Sequence, residues 1–531
     1  METLILTPRT DPEATAKAAE ILKNGGLVAV PTETVYGLAA NALDAEAVSK
    51  IYRAKGRPSD NPLIVHISRF EELETLVSQV PESARLLAEK FWPGPLTMVL
   101  PKKDIVPGVT SGGLDTVAVR CPENAVANEV IRLAGVPLAA PSANISGLPS
   151  PTDFEAVYDD MNGRIDAIID GGACGVGVES TVVTLCGDVP RVLRPGAVTP
   201  EMMEEVIGRV ETDESVLHPL ADGEVAASPG MKYKHYSPSA DIFVIRGTLP
   251  EFVRFVSRRT GENEGVLCFE GEEKYLPLGC VTMGKANDSL SQAERLFGAL
   301  RELDSRGFKR VYARSPSEEG VGLAVCNRLY RSAAFRFLKA SPIIGLTGQT
   351  GAGKSTVAKL LELDGCETVD CDKIARTILS DGSPILEETA KVFGADIIAP
   401  DGTLKRQLLA QRAFSSRVNA AKLDAITHPE IIRRALAQAK AITKRGFPAV
   451  IDAPLLFESG LDEFCDFSVT VVAPVKVRLR RVMRRDGIEE GAARARMRVQ
   501  QEDKYYVSRA QYVIRNYEPY ELESQLEGIP Y

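Results

Sequence analysis

The chain of 531 residues is 44% hydrophobic and 25% charged, an ordinary composition for a soluble globular protein. It is too long for one hydrophobic core, so we expect three or four domains of roughly 100–200 residues each. The formal net charge of −9 argues against bulk electrostatic binding to nucleic acid, and four histidines with nine scattered cysteines disfavour a zinc centre and a Ser-His-Asp hydrolase.

The N-terminal segment lacks a basic stretch followed by an apolar one, and the chain has no run of 18 apolar residues. We therefore expect a cytoplasmic protein with no membrane partner. Asp11 and Pro12 are typical of the N-cap and first residue of a helix, which Gly25 and Gly26 would end. The buried strand LVAVP follows.

Short apolar strands then alternate with helical stretches, the pattern of α/β layers. These elements define a first domain over residues 1–208. Its predicted helices lie around 44–54, 69–91, 123–134 and 152–161, and its further strands are PLIVHI, LTMVL, TVAVR, VPLAAP, DAIID, STVVTL and RVLRP.

Residues 209–239 lack helical or strand periodicity and form a predicted linker. Tyr233, His235 and Tyr236 lie together in it, beside two lysines. Aromatic residues in a long loop either pin it to a neighbouring surface or cover a ligand, and the spacing does not decide between the two.

A second, small α/β domain is predicted over residues 240–340. Its strands are DIFVIRG, GVLCFEG and RVYARS, with helices at about 288–305 and 322–338. The sequence of this domain shows no catalytic constellation.

The stretch GLTGQTGAGKST, residues 345–356, fits the phosphate-loop pattern G-x-x-x-x-G-K-S. A buried strand, IIGLT, leads into it and the helix STVAKLLEL follows, as the motif requires. Its glycines let backbone N–H groups point at phosphate oxygens, Lys354 supplies a positive charge, and Ser355 can bind Mg²⁺. Residues 341–531 are therefore a predicted nucleotide-binding domain.

Carboxylates follow two strands of this third domain. FPAVID ends in Asp452, which is placed to act on the metal through water, and TVDCD presents Asp370 and Asp372. A carboxylate there can take the proton from an acceptor hydroxyl, or it can cap a strand end. Because the guanine-reading motif Asn-Lys-x-Asp is missing from the sequence, a kinase is favoured over a G-protein.

Residues 476–498 contain eight arginines. They form either a solvated charged helix or a lid that stabilises charge on the transferred phosphoryl group and excludes water.

The third domain resembles the dephospho-CoA kinases, from GLTGQTGAGKSTVA through VDCDKIAR, DAPLLFESG and the arginine segment to RAQYVIRN. Departures such as GQTGAGKS for GGIGSGKS leave the phosphate-loop and base residues in place. The resemblance implies a parallel-sheet P-loop kinase with a helical lid, which phosphorylates the ribose 3′-hydroxyl of dephospho-CoA with ATP and Mg²⁺, Asp372 being the base. It implies ATP contacts at Gly351, Ala352, Gly353, Lys354, Ser355, Thr356, Arg484 and Arg485, and Mg²⁺ contacts at Ser355 and Asp452.

The first domain has polar residues at the ends of its predicted strands, in PTETVYGL, KGRPSDNPL, VHIS, VRCP, PSANISG, VESTVV and RVLRPG. Strand ends on one edge of an open α/β sheet form a binding crevice. Cations converging there would bind phosphates, with hydroxyl and amide groups as hydrogen-bonding partners, although each residue taken singly is also an ordinary turn residue. These groups are Lys55, Arg57, Arg120 and Arg194, and Thr34, Ser142, Asn144 and Ser180.

Together the motifs resemble the threonylcarbamoyl-AMP synthase family, in which K-x-R is followed far downstream by S-x-N. Residues 55–57 and 142–144 carry them in that order, and SPGMKYKHYSP and GLAVCNRLYRSAA extend the resemblance to the two-domain form, over about residues 10–338. The resemblance implies a twisted open α/β sheet followed by a small Rossmann-like domain. It also implies condensation of L-threonine, bicarbonate and ATP to threonylcarbamoyl-AMP and pyrophosphate, for tRNA threonylcarbamoyladenosine modification by partner proteins.

The same resemblance assigns the site residues. Lys55 and Arg57 stabilise the reacting phosphates, and Tyr236 closes above the nucleotide. Threonine is held by Thr34, His66, Arg120 and Ser180, and ATP by Lys55, Arg57, Asn61, Ser142, Asn144, Ser150 and Arg194.

Two other interpretations stay open. The first domain is alternatively an RNA-binding module whose basic crevice grips tRNA. The third is alternatively another small-molecule kinase, such as a nucleoside kinase.

Overall fold

A computed structural model describes residues 2–218, 236, 238–259, 261, 263–277, 279–380, 382–498 and 500–531. Of the predicted linker aromatics, Tyr233 and His235 lie outside these residues, and Tyr236 lies within them. No helix in the described ranges is both long enough and apolar enough to cross a membrane. The chain forms two compact units, one of residues 1–246 and 260–338 and the other of residues 247–259 and 339–531.

Apart from short 3₁₀ turns, residues 2–218 form interspersed strands and helices, with two or three strands in succession at some points. They are β1 (Leu4–Leu6), α1 (Ala14–Lys23), β2 (Val28–Val30), β3 (Gly37–Asn41), α2 (Ala45–Lys55), β4 (Ile64–His66), α3 (Leu73–Leu76), α4 (Glu82–Phe91), β5 (Leu96–Pro101), β6 (Thr116–Arg120), α5 (Ala125–Ala134), β7 (Leu138–Ala139), α6 (Phe154–Met161), β8 (Ala167–Ile169), β9 (Thr181–Thr184), β10 (Arg191–Arg194), α7 (Pro200–Ile207) and β11 (Glu211–Thr212).

The elements that follow continue the α/β pattern. They are β12 (Asp241–Arg246), α8 (Leu249–Ser257), β13 (Glu264–Cys268), β14 (Cys280–Thr282), α9 (Ser289–Ser305), β15 (Arg310–Arg314), α10 (Gly322–Ser332), β16 (Phe337–Lys339), β17 (Ile343–Gly348), α11 (Lys354–Leu363), β18 (Glu367–Asp370), α12 (Cys371–Ile378), α13 (Pro384–Phe393), α14 (Arg406–Ala413), α15 (Arg417–Lys444), β19 (Ala449–Asp452), β20 (Phe467–Val472), α16 (Val475–Asp486), α17 (Glu490–Arg498), α18 (Asp503–Val507), β21 (Tyr512–Arg515) and α19 (Leu522–Leu526).

The large sheet of the first unit is mixed. Its strand order is β1-β8-β2-β3-β7-β4-β6-β5-β9-β10-β11. Apolar residues cover both faces: in β2, Ala29 packs in one core, while Val28 and Val30 pack in the core on the other side. Because β4 and β6 pair in parallel, His66 and Arg120 stand opposite each other at the ends of their strands. This juxtaposition places two of the predicted ligand-binding side chains together.

A second sheet of the first unit has the order β14-β13-β15-β12-β16. The pairs β12–β15, β13–β15 and β13–β14 are all parallel. Its apolar side chains form a core with helices α9 and α10, including Leu296 and Leu329.

The sheet of the second unit is parallel throughout, in the order β18-β19-β17-β20-β21. Val450 packs on one face, whereas Ala449 and Ile451 pack on the other, so β19 is buried on both sides. The glycine-rich loop leaves the carboxyl end of the central strand β17 and enters α11. This is the edge at which ligands bind in open parallel sheets.

Two helices near the N-terminus differ from the predictions. Helix α1 begins at Ala14, with Glu13 rather than Asp11 as its N-cap. The Asp11 carboxylate instead accepts a hydrogen bond from the Glu13 N–H and pairs with Lys17. The single helix predicted over 69–91 is broken, because Val77 is extended and the fixed backbone of Pro81 starts the separate helix α4.

The helix predicted over 322–338 is also too long. Helix α10 ends at Ser332, and a strand, β16, begins at Phe337. Ala334 and Phe335 have φ values of 49° and 57°, which reverse the helical path. Such residues rarely adopt positive φ, so no local sequence signal marks this helix end.

Candidate active sites

The first unit contains a cavity of about 740 Å³, counted with its open mouth. Three of the predicted binding residues are buried but do not line the cavity, namely Thr34, Asn61 and Ser150. The predicted residues that do line it are Lys55, Arg57, His66, Arg120, Ser142, Asn144, Ser180, Arg194 and Tyr236.

Lys55 organises the turn PSAN. Its ammonium donates to the Ser142 carbonyl (2.5 Å) and to the carbonyl (2.6 Å) and side-chain oxygen (3.3 Å) of Asn144. Ser142 Oγ in turn donates to Asn144 Oδ1. Burial, together with the neighbouring Arg57, lowers the pKa of Lys55. The K-x-R and S-x-N motifs are thus linked directly through one side chain.

The loop after Lys55 carries two more predicted residues. Arg57 donates through Nη2 to the carbonyls of Asn61 (3.3 Å) and Pro62 (3.1 Å). Asn61 is 1% exposed, and in the described residues neither its amide nitrogen nor its amide oxygen has a hydrogen-bond partner. Buried amides are rarely left without partners, but the Asn61 side chain does not line the cavity, so its predicted contact with ATP stays a prediction.

His66 and Arg120 meet at one wall of the cavity. Burial, and then the charge of Arg120, lowers the pKa of His66 to about 3, so the imidazole is neutral at physiological pH. Arg120 pairs through Nη2 with Glu33 at 2.6 Å; the arginine is buried and the glutamate is partly buried. Its Nε is buried and has no hydrogen-bond partner within the described part of the chain. A guanidinium with one donor still unmet is suited to bind a carboxylate.

Ser180 and Arg194 occupy another wall. Arg194 donates through Nε (3.1 Å) and Nη2 (2.9 Å) to the Ser180 carbonyl, and Ser180 Oγ lies 2.8 Å from Thr97 Oγ1. Both residues are buried, and burial lowers the pKa of Arg194 to about 10, still well above neutrality. Arg194 therefore keeps its charge at the cavity.

Tyr236 reaches the cavity from the linker. Its backbone has a φ of 59°, unusual for a bulky residue, and its ring lies 5.1 Å from that of Phe297. A side chain held this way at a cavity is a candidate functional position.

The phosphate loop of the second unit is closely surrounded. Gly351 and Gly353 have φ values of 81° and 96°. A Cβ at Gly351 would lie 2.7 Å from the Arg478 carbonyl, and one at Gly353 would lie 1.8 Å from Asn516 Nδ2. Both the conformation and the contacts therefore require glycine.

Charged residues converge beside this loop. The Lys354 ammonium contacts the Asp452 carboxylate. Burial raises the pKa of Asp452, and Lys354 opposes that rise. Asp370 lies opposite Asp452 in the β18–β19 register, and its carboxylate caps α12 by accepting from the Lys373 N–H (2.9 Å). Asp372 is exposed in the first turn of α12, so the capping alternative applies to Asp370 and leaves Asp372 available.

The residues predicted to hold Mg²⁺ offer suitable atoms. Asp452 supplies carboxylate oxygen, and Ser355, exposed at the start of α11, supplies a hydroxyl. In the described ranges, no three His, Cys, Asp or Glu side chains stand close enough to hold an ion by themselves. This donor set fits Mg²⁺, which commonly takes one or two protein oxygens and completes its shell with phosphate oxygens and water.

The arginine segment forms helices α16 and α17. Arg484 is exposed, and Arg485 pairs with Asp486 at 2.7 Å. Arg481 was not predicted, yet it donates to the Ala352 carbonyl (3.1 Å) of the phosphate loop. It also donates to the carbonyl of Asn516, whose amide bonds the same Ala352 carbonyl at 2.9 Å. The segment thus braces the loop directly.

Family comparison accounts for nearly the whole chain. The family described as telomere recombination matches residues 20–196, and the threonylcarbamoyl-AMP synthase C-terminal domain matches residues 198–334. The dephospho-CoA kinase family matches residues 342–520. The threonylcarbamoyl-AMP synthase of Pyrococcus abyssi is 46% identical over 331 residues, which cover 61% of this chain and 94% of that protein. The dephospho-CoA kinase of Corynebacterium diphtheriae is 44% identical over 177 residues, covering 33% of this chain and 88% of that protein.

The chain belongs to both families. It is an enzyme that joins a threonylcarbamoyl-AMP synthase to a dephospho-CoA kinase, and both parts belong to ATP-using families. Among solved structures, P. abyssi Sua5 complexed with L-threonine matches the synthase part with a TM-score of 0.59 and 43% identity, over 64% of this chain and 99% of that one. The predicted fusion and fold class are confirmed.

Sequence reasoning missed four residues that shape the two sites. They are Glu33 and Glu179 of the synthase, and Arg481 and Asn516 of the kinase. Glu33 and Glu179 stand in the motifs PTET and VEST, so proximity to the predicted residues was their available signal. Asn516 lies far from the phosphate loop in sequence, and only the fold brings it there.

Proposed function

We propose that the chain is bifunctional. Its synthase unit converts L-threonine, bicarbonate and ATP to threonylcarbamoyl-AMP and pyrophosphate. Other proteins then use the threonylcarbamoyl-AMP for tRNA threonylcarbamoyladenosine modification. Its kinase unit transfers the γ-phosphoryl group of ATP to the ribose 3′-hydroxyl of dephospho-CoA. For the synthase the main support is the unmet donor at Arg120 beside the neutral His66, in a cavity that Arg194 also lines.

In the synthase, Arg120 would bind the threonine carboxylate, with His66 and Ser180 as neutral partners. The threonine amine then attacks bicarbonate, water is lost, and the resulting carbamate oxygen attacks the α-phosphorus as pyrophosphate leaves. Arg57 and Arg194 stabilise the charge on the phosphates, and Lys55 holds the PSAN turn against the nucleotide. The chemistry needs no protein nucleophile, which agrees with a cavity built from cations and hydrogen-bonding groups.

In the kinase, the loop amides and Lys354 would hold the ATP phosphates. Mg²⁺ at Ser355 and Asp452 supplies charge neutralisation for the transferred group. Asp372 accepts the proton of the ribose 3′-hydroxyl as its oxygen attacks. Arg484 closes on the phosphates from the lid, while Arg481 keeps the loop in shape. Support comes from the position of Asp372 and Asp452 at the same sheet edge as the phosphate loop.

Pyrophosphate release by the purified chain tests the synthase reaction. We expect release that depends on both threonine and bicarbonate and that falls at least about 100-fold in Arg57→Ala. Arg53→Ala is the matched control, because Arg53 is an exposed arginine at the end of helix α2, four residues before Arg57, and does not line the cavity. Threonine-independent binding of tRNA with a steep salt dependence, and no pyrophosphate release, would favour the RNA-binding alternative.

ADP formation with defined acceptors tests the kinase reaction. We expect turnover with dephospho-CoA and none with nucleosides, together with a product phosphorylated at the ribose 3′ position. Turnover with nucleosides alone would identify another small-molecule kinase.

A further inference from the structure

Arg328 of α10 is a fully buried cation of the synthase unit that does not line the cavity. Its Nε donates to Glu179 Oε2 at 2.9 Å and its Nη2 to the Glu179 carbonyl at 3.2 Å. Its Nη1 donates to the Pro195 carbonyl at 2.6 Å and to Asn327 Oδ1 at 3.1 Å. Every nitrogen of the guanidinium is therefore engaged, and three of the four bonds end on two short segments.

Those two segments carry cavity residues. Glu179 lines the cavity and directly precedes Ser180, while Pro195 directly follows Arg194. The segments are also joined to each other, since Arg194 donates to the Ser180 carbonyl. Arg328 thus fixes the spacing of two chain segments whose side chains line the cavity, although it does not line the cavity itself.

Glu179 is the charge that makes this arrangement necessary. Its second oxygen accepts a 2.6 Å bond from Ser150 Oγ, which explains how the buried Ser150 is coupled to a cavity it does not line. Burial acts to raise the pKa of Glu179, but Arg328, Arg194 and Ser150 outweigh burial and lower it to about 2. The carboxylate is therefore ionised at neutral pH, and the buried cations Arg328 and Arg194 both act to lower its pKa.

A buried carboxylate that loses one cationic partner turns to another one nearby or takes up a proton. Without Arg328, Glu179 would compete with the ligand for Arg194. We propose that Arg328 is a positioning residue of the synthase: by engaging Glu179, it fixes the Ser150–Glu179–Ser180 wall and keeps Arg194 available to the anionic ligand. This inference rests on the proposed synthase function. It gives helix α10, which packs against the second sheet of the first unit, a role in catalysis.

The test measures pyrophosphate release by the full chain carrying Arg328→Met, which removes the charge at similar length. We expect kcat/KM to fall about 100-fold, mainly through a higher KM for ATP, because displacement of a positioning group by about 1 Å has effects of this size. Arg328→Lys keeps the positive charge but lacks the several N–H donors of the guanidinium group. It should therefore retain part of the kcat/KM that Arg328→Met loses. Combining Arg328→Met with Glu179→Gln removes the competing charge and also recovers part of it.

Arg314→Met is the matched control, since Arg314 forms a largely buried ion pair in the same domain, with Glu272 at 3.2 Å, and does not line the cavity. It should lower thermal stability while leaving the KM for ATP unchanged. Wild-type kcat and KM in the folded fraction of Arg328→Met, with only the unfolding temperature lowered, would overturn the proposal, as would an absence of rescue by both second variants.

Ligand binding separates this proposal from the proposed reaction. In a Lys354→Ala background, which removes the kinase phosphate contact, calorimetry with a non-hydrolysable ATP analogue reports on the synthase cavity. A wild-type synthase that binds the analogue but releases no pyrophosphate disproves the reaction alone. Equal affinity with and without Arg328→Met disproves the positioning role alone.

Discussion

His66 and Arg120 lie opposite each other on the parallel strands β4 and β6. Burial at this position lowers the pKa of His66 and keeps its imidazole neutral. Arg120 is already charge-paired with Glu33 at 2.6 Å. A protonated His66 would add a second cation to the wall. The pair therefore combines one permanent charge with one neutral hydrogen-bonding ring.

The depressed pKa of His66 predicts a pH-dependent stability. Burial lowers the pKa of the ring from its ordinary value of 6.5 to about 3 in the folded protein. The stability it contributes is thus complete above pH 6.5 and is lost as the pH falls toward 3. Between pH 7.5 and 5 the loss should reach about 2 kcal/mol, and His66→Gln should remove it. Urea unfolding followed by the fluorescence of Trp92, the single tryptophan of the chain, reports on the synthase unit.

A parallel pH dependence in wild type and His66→Gln would show that other groups govern acid stability. The ring of Phe70 lies 6.4 Å from that of Trp92, so a substitution of Phe70 would disturb the fluorescence signal. Phe70 is therefore not used as a control position.

Lys354→Ala should abolish kinase turnover and leave the synthase unaffected. Lys354 contacts Asp452 beside the phosphate loop, and its loss removes the cation that would face the ATP phosphates. We expect kcat/KM for dephospho-CoA phosphorylation to fall by at least about 100-fold. Lys359→Ala, an exposed position on the same helix, controls for disturbance of α11. A parallel fall in pyrophosphate release would contradict two independent active sites.

How much of these sites could be predicted depends on whether their chemistry is local in sequence. The phosphate loop could be predicted, because its glycines, Lys354 and the flanking strand and helix are contiguous in the sequence. The role of Arg328 could not, because its partner Glu179 is 149 residues away and only the fold pairs them. The end of α10 was also hidden, since the left-handed Ala334 and Phe335 that produce it are neither glycine nor asparagine.

Asp370 and Asp372 should differ in their effect on the kinase. Asp372→Asn removes the proposed base and should lower kcat by about 100- to 10,000-fold. Asp370→Asn should have a much smaller effect, because asparagine also accepts the Lys373 N–H bond that caps α12. Measuring kcat for both variants at saturating dephospho-CoA separates the two roles. Equal losses would indicate that both carboxylates act on the reaction, and a larger loss for Asp370→Asn would reassign the base.

The second compact unit includes residues 247–259, which precede its main segment by many residues. Within this unit, Arg254 donates to the Gly446 carbonyl at 2.5 Å and lies over the Phe447 ring at 4.9 Å. Arg259 donates to the Ile529 carbonyl at 2.9 Å. Helix α8 therefore supports the kinase although it lies within the sequence range that matches the synthase C-terminal domain.

A kinase fragment that begins at residue 341 lacks these contacts, so it should be less stable than the kinase in the full chain. Arg254→Ala and Arg259→Ala in the full chain should each lower the free energy of unfolding of the kinase by about 1.5–3 kcal/mol, the range for a hydrogen bond that involves a charged group. The temperature at which half of the dephospho-CoA phosphorylating activity is lost on heating measures this effect. Ser257→Ala is the control, because Ser257 is exposed in the same segment and its hydroxyl donates to the Val253 carbonyl of its own helix. If the fragment and the full chain inactivated at the same temperature, helix α8 would contribute nothing to the kinase, and the two activities would be separable at residue 341.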